Sequence, residues 1–356
     1  MFRLNRRRAL IGAAVILLAL VLGGVAVVLI DRPEPDAERA PGGTLALSLA
    51  GDPLNRLRLP DGAIEPVPLR TEDGILSNAW WVTRARDGSR IAFLSTADHV
   101  TRVYVANPDG TGARPISSGP RDSQPAIAPD GSQVVFMRSR DFFSALFITD
   151  AETGEERQLT EYTNDLEPDW SPDGTRIVFT TSRDGFQELY TMAPDGTDVR
   201  RLTENEGLND LRARFSPDGL QIAYMTNYAV SDGSGEIWVM DADGSNQRRL
   251  TDNSLDDGPP VWSPDGRYLA FSAGTLPPDI RRAIYVYDLE ADRLARLTPD
   301  DGSAYFPLWS PDSAWIAFIT RHDDNTRTID VIRRDGSGAR TVLERSGELF
   351  FWLWLP

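Results

Sequence analysis

Pro168-Asp169-Trp170-Ser171-Pro172-Asp173-Gly174, followed by Thr175-Arg176-Ile177-Val178-Phe179, decides the fold. It reads as a strand ending at Trp170, a tight turn, and a second strand. Pro172 presets φ for the turn, Asp173 bonds nearby backbone amides, and Gly174 takes the positive φ that reverses the chain. A single copy predicts only a hairpin. The pattern recurs at Ile127-Ala128-Pro129-Asp130-Gly131, Phe215-Ser216-Pro217-Asp218-Gly219, Trp262-Ser263-Pro264-Asp265-Gly266 and Trp309-Ser310-Pro311-Asp312-Ser313, with a weaker Arg86-Asp87-Gly88.

Working outward from Trp170, Ile177-Val178-Phe179 is a second strand and Glu188-Leu189-Tyr190-Thr191-Met192 a third. The turn Pro194-Asp195-Gly196 leads into a fourth strand that ends at Leu202-Thr203. Four antiparallel strands make one propeller blade. The turn aspartates Asp87, Asp130, Asp173, Asp218, Asp265 and Asp312 follow one another at a nearly constant period. That period, roughly 45 residues, suits a four-stranded blade and is too long for leucine-rich or helical-pair repeats. Fourth-strand endings keep step at Leu159-Thr160, Leu202-Thr203, Leu250-Thr251 and Leu297-Thr298.

These units resemble the TolB-type, WD-like propeller repeat: Pro-x-Trp-Ser-Pro-Asp-Gly, an apolar strand, then a late Asp-Gly before Leu-Thr. The resemblance covers Asn78 to about Leu343 as six units. Two complementary pieces remain. Trp354-Leu355-Pro356 aligns with Trp309-Ser310-Pro311 as a first strand alone, while Gly42-Gly43-Thr44-Leu45-Ala46-Leu47, Leu57-Arg58-Leu59 and Glu65-Pro66-Val67-Pro68-Leu69 supply second, third and fourth strands. Joined, they make a seventh blade and remove the unpaired edges of an open array. The expectation is therefore an all-β propeller of seven four-stranded blades over 44–356, with six blades as the alternative if the N-terminal piece docks elsewhere. A ring closed by its own chain is expected to be a monomer.

Ahead of the repeats, the segment 1–8 contains Arg3, Arg6, Arg7 and Arg8, and Ala9 to Ile30 is an unbroken run without a charge. At about 1.5 Å per helical residue the run spans a bilayer core of roughly 30 Å. The arginines place the N-terminus in the cytoplasm. Residues 9–30 are thus expected to be a single transmembrane signal-anchor, 31–43, with three prolines, an extended linker, and the propeller extracytoplasmic. The alternative is a cleaved signal peptide and a secreted or periplasmic domain.

The net charge of -16 argues against nucleic acid as a partner, because phosphate backbones need a basic surface. There is no cysteine, and His99 and His322 are the only histidines, too few for a three-histidine zinc site. Neither a Gly-x-Ser-x-Gly elbow nor a Gly-x-x-x-x-Gly-Lys phosphate loop occurs. Prolyl peptidases of one family join similar repeats to an α/β-hydrolase domain, and no such domain follows the repeats in these 356 residues. Trp170, Trp262 and Trp309 hold one repeat position and are expected to pack between blades.

The Pro-Asp-Gly turns lie on one face of such a ring. The opposite face carries longer, more varied loops, notably 227–235 and 273–282, and variable loops on a rigid scaffold are where binding concentrates. Candidate residues there are Asp165, Glu167, Asn209, Asp210, Tyr228, Asp256, Asp257, Asp301, Arg281 and Arg282. Carboxylates at the tunnel mouth can hold calcium or receive a basic segment, although Asp and Asn also serve ordinary loops by bonding local backbone. The expectation is a non-enzymatic scaffold for a protein or peptide in the cell envelope, with no obligatory cofactor and no catalytic residue. By resemblance, TolB-type proteins are binding platforms in the bacterial envelope, though the separate N-terminal domain found there is not apparent in this sequence. The competing class is a propeller enzyme (lactonase, glycan lyase or glycosidase) working through those acids, with or without calcium.

Overall fold

Each Ser-Pro-Asp-Gly string closes a hairpin in the computed structural model, which describes residues 41–49, 54–59, 62–97, 99–228, 235–253, 255–275, 281–299, 302–324, 326–346 and 349–355. At the founding copy Asp173 Oδ1 accepts from the amide of Thr175 (3.0 Å) and the hydroxyl of Ser171 (2.6 Å), while Ser171 Oγ accepts from the amide of Arg176 (2.9 Å). Gly174 sits at φ 72°, and in the last copy Ser313 adopts φ 58° in its place.

The strands pair into seven antiparallel blades among the described residues. Blades one to six span 80–115, 122–158, 166–201, 208–249, 256–296 and 303–346, each ordered first to fourth strand. Blade seven joins both ends of the chain, in the order Leu349–Leu355, Gly43–Leu49, Leu54–Leu59, Ile64–Pro66. Its closing pair runs antiparallel with Thr44 opposite Leu355 and Leu45 opposite Trp354. The linker expected over 31–43 ends here, since Gly43 already pairs with Leu59. Between blades seven and one stands a hairpin that the repeat did not foretell, Arg70–Thr71 with Gly74–Ile75.

Among the described residues seven apolar clusters fill the interior, and each straddles one pair of neighbouring blades. Leu45, Leu57 and Leu59 of blade seven pack with Trp315, Ala317 and Val331 of blade six, while Ala46 and Leu54 on its other face pack with Val82, Phe93 and Tyr104 of blade one. The ring is therefore sealed by side chains as well as by backbone. The three repeat tryptophans are buried, and their indole N–H groups donate to first-strand carbonyls of the preceding blade: Trp170 to Ala126 (3.0 Å), Trp262 to Arg214 (3.0 Å), Trp309 to Val261 (3.1 Å). Apolar burial and a satisfied polar tip explain why tryptophan recurs.

The anchor expected at 9–30 lies outside the described residues. No helix among the described residues is long and apolar enough to cross a membrane.

Candidate functional site

First strands carry an irregularity that their sequences do not share. In blades one, two, three, four and six the register slips by a bulge, and the bulged residue has positive φ: Trp81, Gln124, Glu167, Arg212 and Phe306. Blade five breaks its first strand at the same place, between Asp256–Asp257 and Val261–Trp262. The bulges bond to one another across blades: the Glu167 amide donates to Gln124 Oε1 (2.7 Å), and Glu167 receives the amide (2.9 Å) and Nε (2.8 Å) of Arg212. Only strands nearest the axis approach so closely, so these side chains line the tunnel. The lining mixes two aromatics, an amide, an acid and a base.

At one repeat position, near the start of the first strand, stands a carboxylate in four consecutive blades: Asp122, Asp165, Asp210 and Asp257. All four are buried, not solvated at the loop face. Each is used within its own neighbourhood. Asp122 is clasped by its cross-strand partner Arg138, Nε to Oδ1 at 2.7 Å and Nη2 to Oδ2 at 3.1 Å. Asp165 receives Arg183 Nη2 (3.2 Å) and the Thr163 hydroxyl (3.1 Å). Asp210 receives the hydroxyl of its partner Thr226 (2.5 Å) and Asn205 Nδ2 (2.6 Å), while burial holds its carboxyl above the ordinary range.

Asp257 is the exception. Its cross-strand partner is Ala273, which has nothing to donate, and Oδ1 is buried without a partner. Glu236, on the third strand of blade four, pairs with Arg249 at 2.7 Å yet leaves Oε2 equally unpartnered. Desolvation first, then the charges of Glu236 and Asp256, push the Asp257 carboxyl up to about 7 in spite of a hydrogen bond from Thr251. The equivalent cluster of the preceding blade, Glu188 with Arg201, Thr203 and Asn205, is fully bonded: Glu188 takes the Thr203 hydroxyl (2.6 Å) and the Asn205 amide (2.8 Å).

The remaining candidates fall as follows. Asn209 accepts the Gln187 amide (3.1 Å) and donates to Asn227 (3.3 Å). Asp256 forms an ion pair with Arg282, which also donates to the Asp256 carbonyl (3.0 Å). Arg281 reaches Asp323 at 3.4 Å. Tyr228 ends the second strand of blade four, opposite Leu208, and Asp301 lies outside the described residues. The structure thus brings Asp256, Asp257 and Arg282 together at blade five but sets Asp165 and Asp210 in other blades. Among the described residues no group of three or more His, Asp or Glu is placed to hold a metal ion. The tunnel residues Trp81, Gln124, Arg212 and Phe306 escaped sequence reasoning because position in the repeat, not residue type, marks them.

The TolB beta propeller domain matches residues 60–259 and 211–348. No curated protein matches the chain significantly by sequence. Solved structures with a similar fold include TolB from Acinetobacter baumannii (20% identity, 87% of this chain and 81% of that one, TM-score 0.54). An oligogalacturonate lyase from Vibrio parahaemolyticus is similar too (14% identity, 75% and 79%, TM-score 0.58). So is a puromycin-hydrolyzing peptidase from Mycobacterium tuberculosis (15% identity, TM-score 0.62), of which this chain spans about half, 86% of this chain covering 54% of that one. At such identities the likeness is one of fold. The propeller repeat, the seven blades and the match over most of the sequence agree: the chain belongs to the TolB beta propeller domain family.

Proposed function

We propose that the protein is a membrane-anchored, extracytoplasmic propeller that binds a protein or peptide of the cell envelope across its long-loop face. One observation carries this reading: the acids an enzyme or a calcium site would use, Asp165, Asp210 and Asp257, are buried in separate blades, and Asp165 and Asp210 are engaged by their own chain. No observation on the described residues favours the lactonase, lyase or glycosidase reading.

The test is face-resolved. A photo-crosslinking residue placed at Tyr228 or Arg281 in the full chain, in its own membranes, is expected to capture a discrete partner. The same residue at Asp173 or Asp218, in turns on the opposite face, is expected to capture none. Capture from the turn face alone, or equally from both, would contradict the proposal. Deleting 9–30 is expected to release the propeller from the membrane fraction without unfolding it.

A further inference from the structure

Blades one to five share an internal ring pair. An aromatic residue of the second strand faces an aromatic residue of the third: Phe93 with Tyr104, Phe136 with Phe147, Phe179 with Tyr190, Tyr224 with Trp238, and Phe271 with Tyr285, at centroid distances of 5.7 to 6.3 Å. Blade six keeps the first ring as Phe318 and puts Asp330 opposite it. Where the second ring is missing there is a cleft of about 420 Å³ between blades five and six, whose lining includes Leu297, Ala304, Phe318, His322 and Asp330.

The polar end of the cleft is arranged to accept hydrogen bonds. Asp330 Oδ2 takes the hydroxyls of Thr320 (2.6 Å) and Thr328 (2.7 Å), and Oδ1 takes that of Thr341 (2.6 Å). Thr328 spends its one proton on Asp330, so the 3.0 Å contact between its oxygen and His322 Nε2 must be a donation from the imidazole. Nδ1 of the neutral ring is then an acceptor. A carboxylate offers about four lone-pair sites, and three are filled here, leaving one on Oδ1. Arg340 also lines the cleft, but as the cross-strand partner of Val331 it alternates with Thr341 along the fourth strand, and its guanidinium lies 5.9 Å over the Trp315 ring, towards blade seven.

The chain itself shows what such a combination holds. In blade two the Arg138 guanidinium lies 4.3 Å over the Phe147 ring and pairs with Asp122 and Glu156. In blade three Arg183 lies 5.4 Å over Phe179 and 5.0 Å over Tyr190 and pairs with Asp165. An aromatic face beside a carboxylate thus carries a guanidinium twice within this fold, as cation–π attraction and charge-assisted hydrogen bonding favour.

We infer that the cleft between blades five and six, opened where Asp330 replaces the repeat aromatic residue, receives the guanidinium of an arginine on a partner protein. The planar group stacks on Phe318, donates to Asp330 Oδ1 and His322 Nδ1, and lays its alkyl stem along Leu297 and Ala304. The inference rests on reading the propeller as a protein-binding scaffold, and its test is kept independent of the partner.

With only two histidines, the full chain labelled with 13C-histidine gives two imidazole signals, and His322→Gln assigns them. Titration with N-acetyl-arginine amide is expected to shift the His322 signal saturably, with Kd in the millimolar range, about −4 kcal/mol. The citrulline counterpart, equal in shape but uncharged, and the lysine counterpart, charged but not planar, are expected to bind at least fivefold more weakly. Asp330→Tyr, which restores the repeat ring, is expected to abolish the shift, and Asp330→Asn, which keeps the hydroxyls bonded, to weaken it about tenfold. No shift at a concentration well above the millimolar range, an equal response to citrulline or lysine, or an unchanged response in Asp330→Asn would overturn the inference. Loop-face capture without an arginine response refutes this site alone, whereas an arginine response without capture refutes the scaffold and leaves the site.

Discussion

Arg138→Met is expected to destabilise the propeller by about 3–5 kcal/mol at pH 8, because it strands two carboxylates that share one cation in a buried site. Arg138 bonds both oxygens of Asp122 and both of Glu156, the latter at 2.6 and 2.8 Å, while its plane covers Phe147. Desolvation already holds Asp122 above the ordinary carboxylate range even with the arginine in place. Methionine keeps much of the stem and removes only the charge and its donors. In the variant the Asp122 carboxyl rises further above its unfolded value, and Glu156, which Arg138 helps to hold below the ordinary carboxylate range, loses that hold and rises too, so stability is better retained in acid and lost as the pH climbs. Urea unfolding should therefore show a smaller penalty at pH 5 than at pH 8. The triple variant with Asp122→Asn and Glu156→Gln should recover most of the loss, and failure to recover would mean that packing, not charge, is what Arg138 supplies.

The second large effect is expected at Asp257, whose carboxyl burial pushes up to about 7 from an ordinary 3.8. A carboxyl raised on folding contributes stability that is complete below the unfolded pKa and disappears as pH rises through the folded one. Stability should thus decline between about pH 4 and pH 7 and level off above. Asp257→Asn cannot ionise. It should abolish this part of the decline and raise stability at pH 8 by a few kcal/mol, each pKa unit being worth about 1.4 kcal/mol. The matched comparison is Asp210→Asn: burial raises this carboxyl too, but Thr226 and Asn205 donate to both of its oxygens, so an amide there loses an acceptor and its gain at pH 8 should be smaller than that of Asp257→Asn. If Asp257→Asn lowered stability at pH 8, an unrecognised donor or cation would have to be serving Oδ1.

The scaffold was legible because its devices are local. A Pro-Asp-Gly turn, an apolar strand and a terminal Leu-Thr lie close together in sequence, and the unfinished copy at Trp354-Leu355-Pro356 announces the shared blade. The tunnel was not legible, since a bulge is a property of register and admits tryptophan, glutamine, glutamate, arginine and phenylalanine alike. The acids expected in blade-joining loops stand at the first strands, Glu167, Asp210, Asp256 and Asp257 on them and Asp165 immediately before one, while Asp122 at the same repeat position was not singled out. Their partners Arg138, Thr226 and Ala273 stand opposite them on the second strand, beyond the whole intervening hairpin, where no short pattern reveals them.

The blade-six cleft was hidden for a simpler reason. Tyr104, Phe147 and Tyr190 follow their turn aspartates Asp87, Asp130 and Asp173 at one spacing, Trp238 and Tyr285 follow Asp218 and Asp265 at a longer one, and Asp330 follows Asp312 at a third. The loop between second and third strands changes length, so counting along the chain puts no two of these groups in line. Only the pairing register aligns Asp330 with the five aromatic residues. Conversely, Trp-Ser-Pro-Asp-Gly, the most distinctive string in the chain, is scaffold. Its tryptophan seals blade to blade, and its aspartate bonds its own turn.

Faces, tunnel and cleft all presuppose that the two ends of the chain close one ring. The sequence has no cysteine, so a pair can be placed at will. Thr44→Cys with Leu355→Cys joins cross-strand partners of the closing pair, and Thr44→Cys with Arg58→Cys joins partners in one hairpin as a positive control. On mild oxidation both pairs should form an intramolecular disulfide, the first giving a marked mobility change on a non-reducing gel because it circularises nearly the whole propeller. A 44–355 pair that stays reduced or links only between molecules, while the 44–58 pair oxidises, would contradict the closed ring.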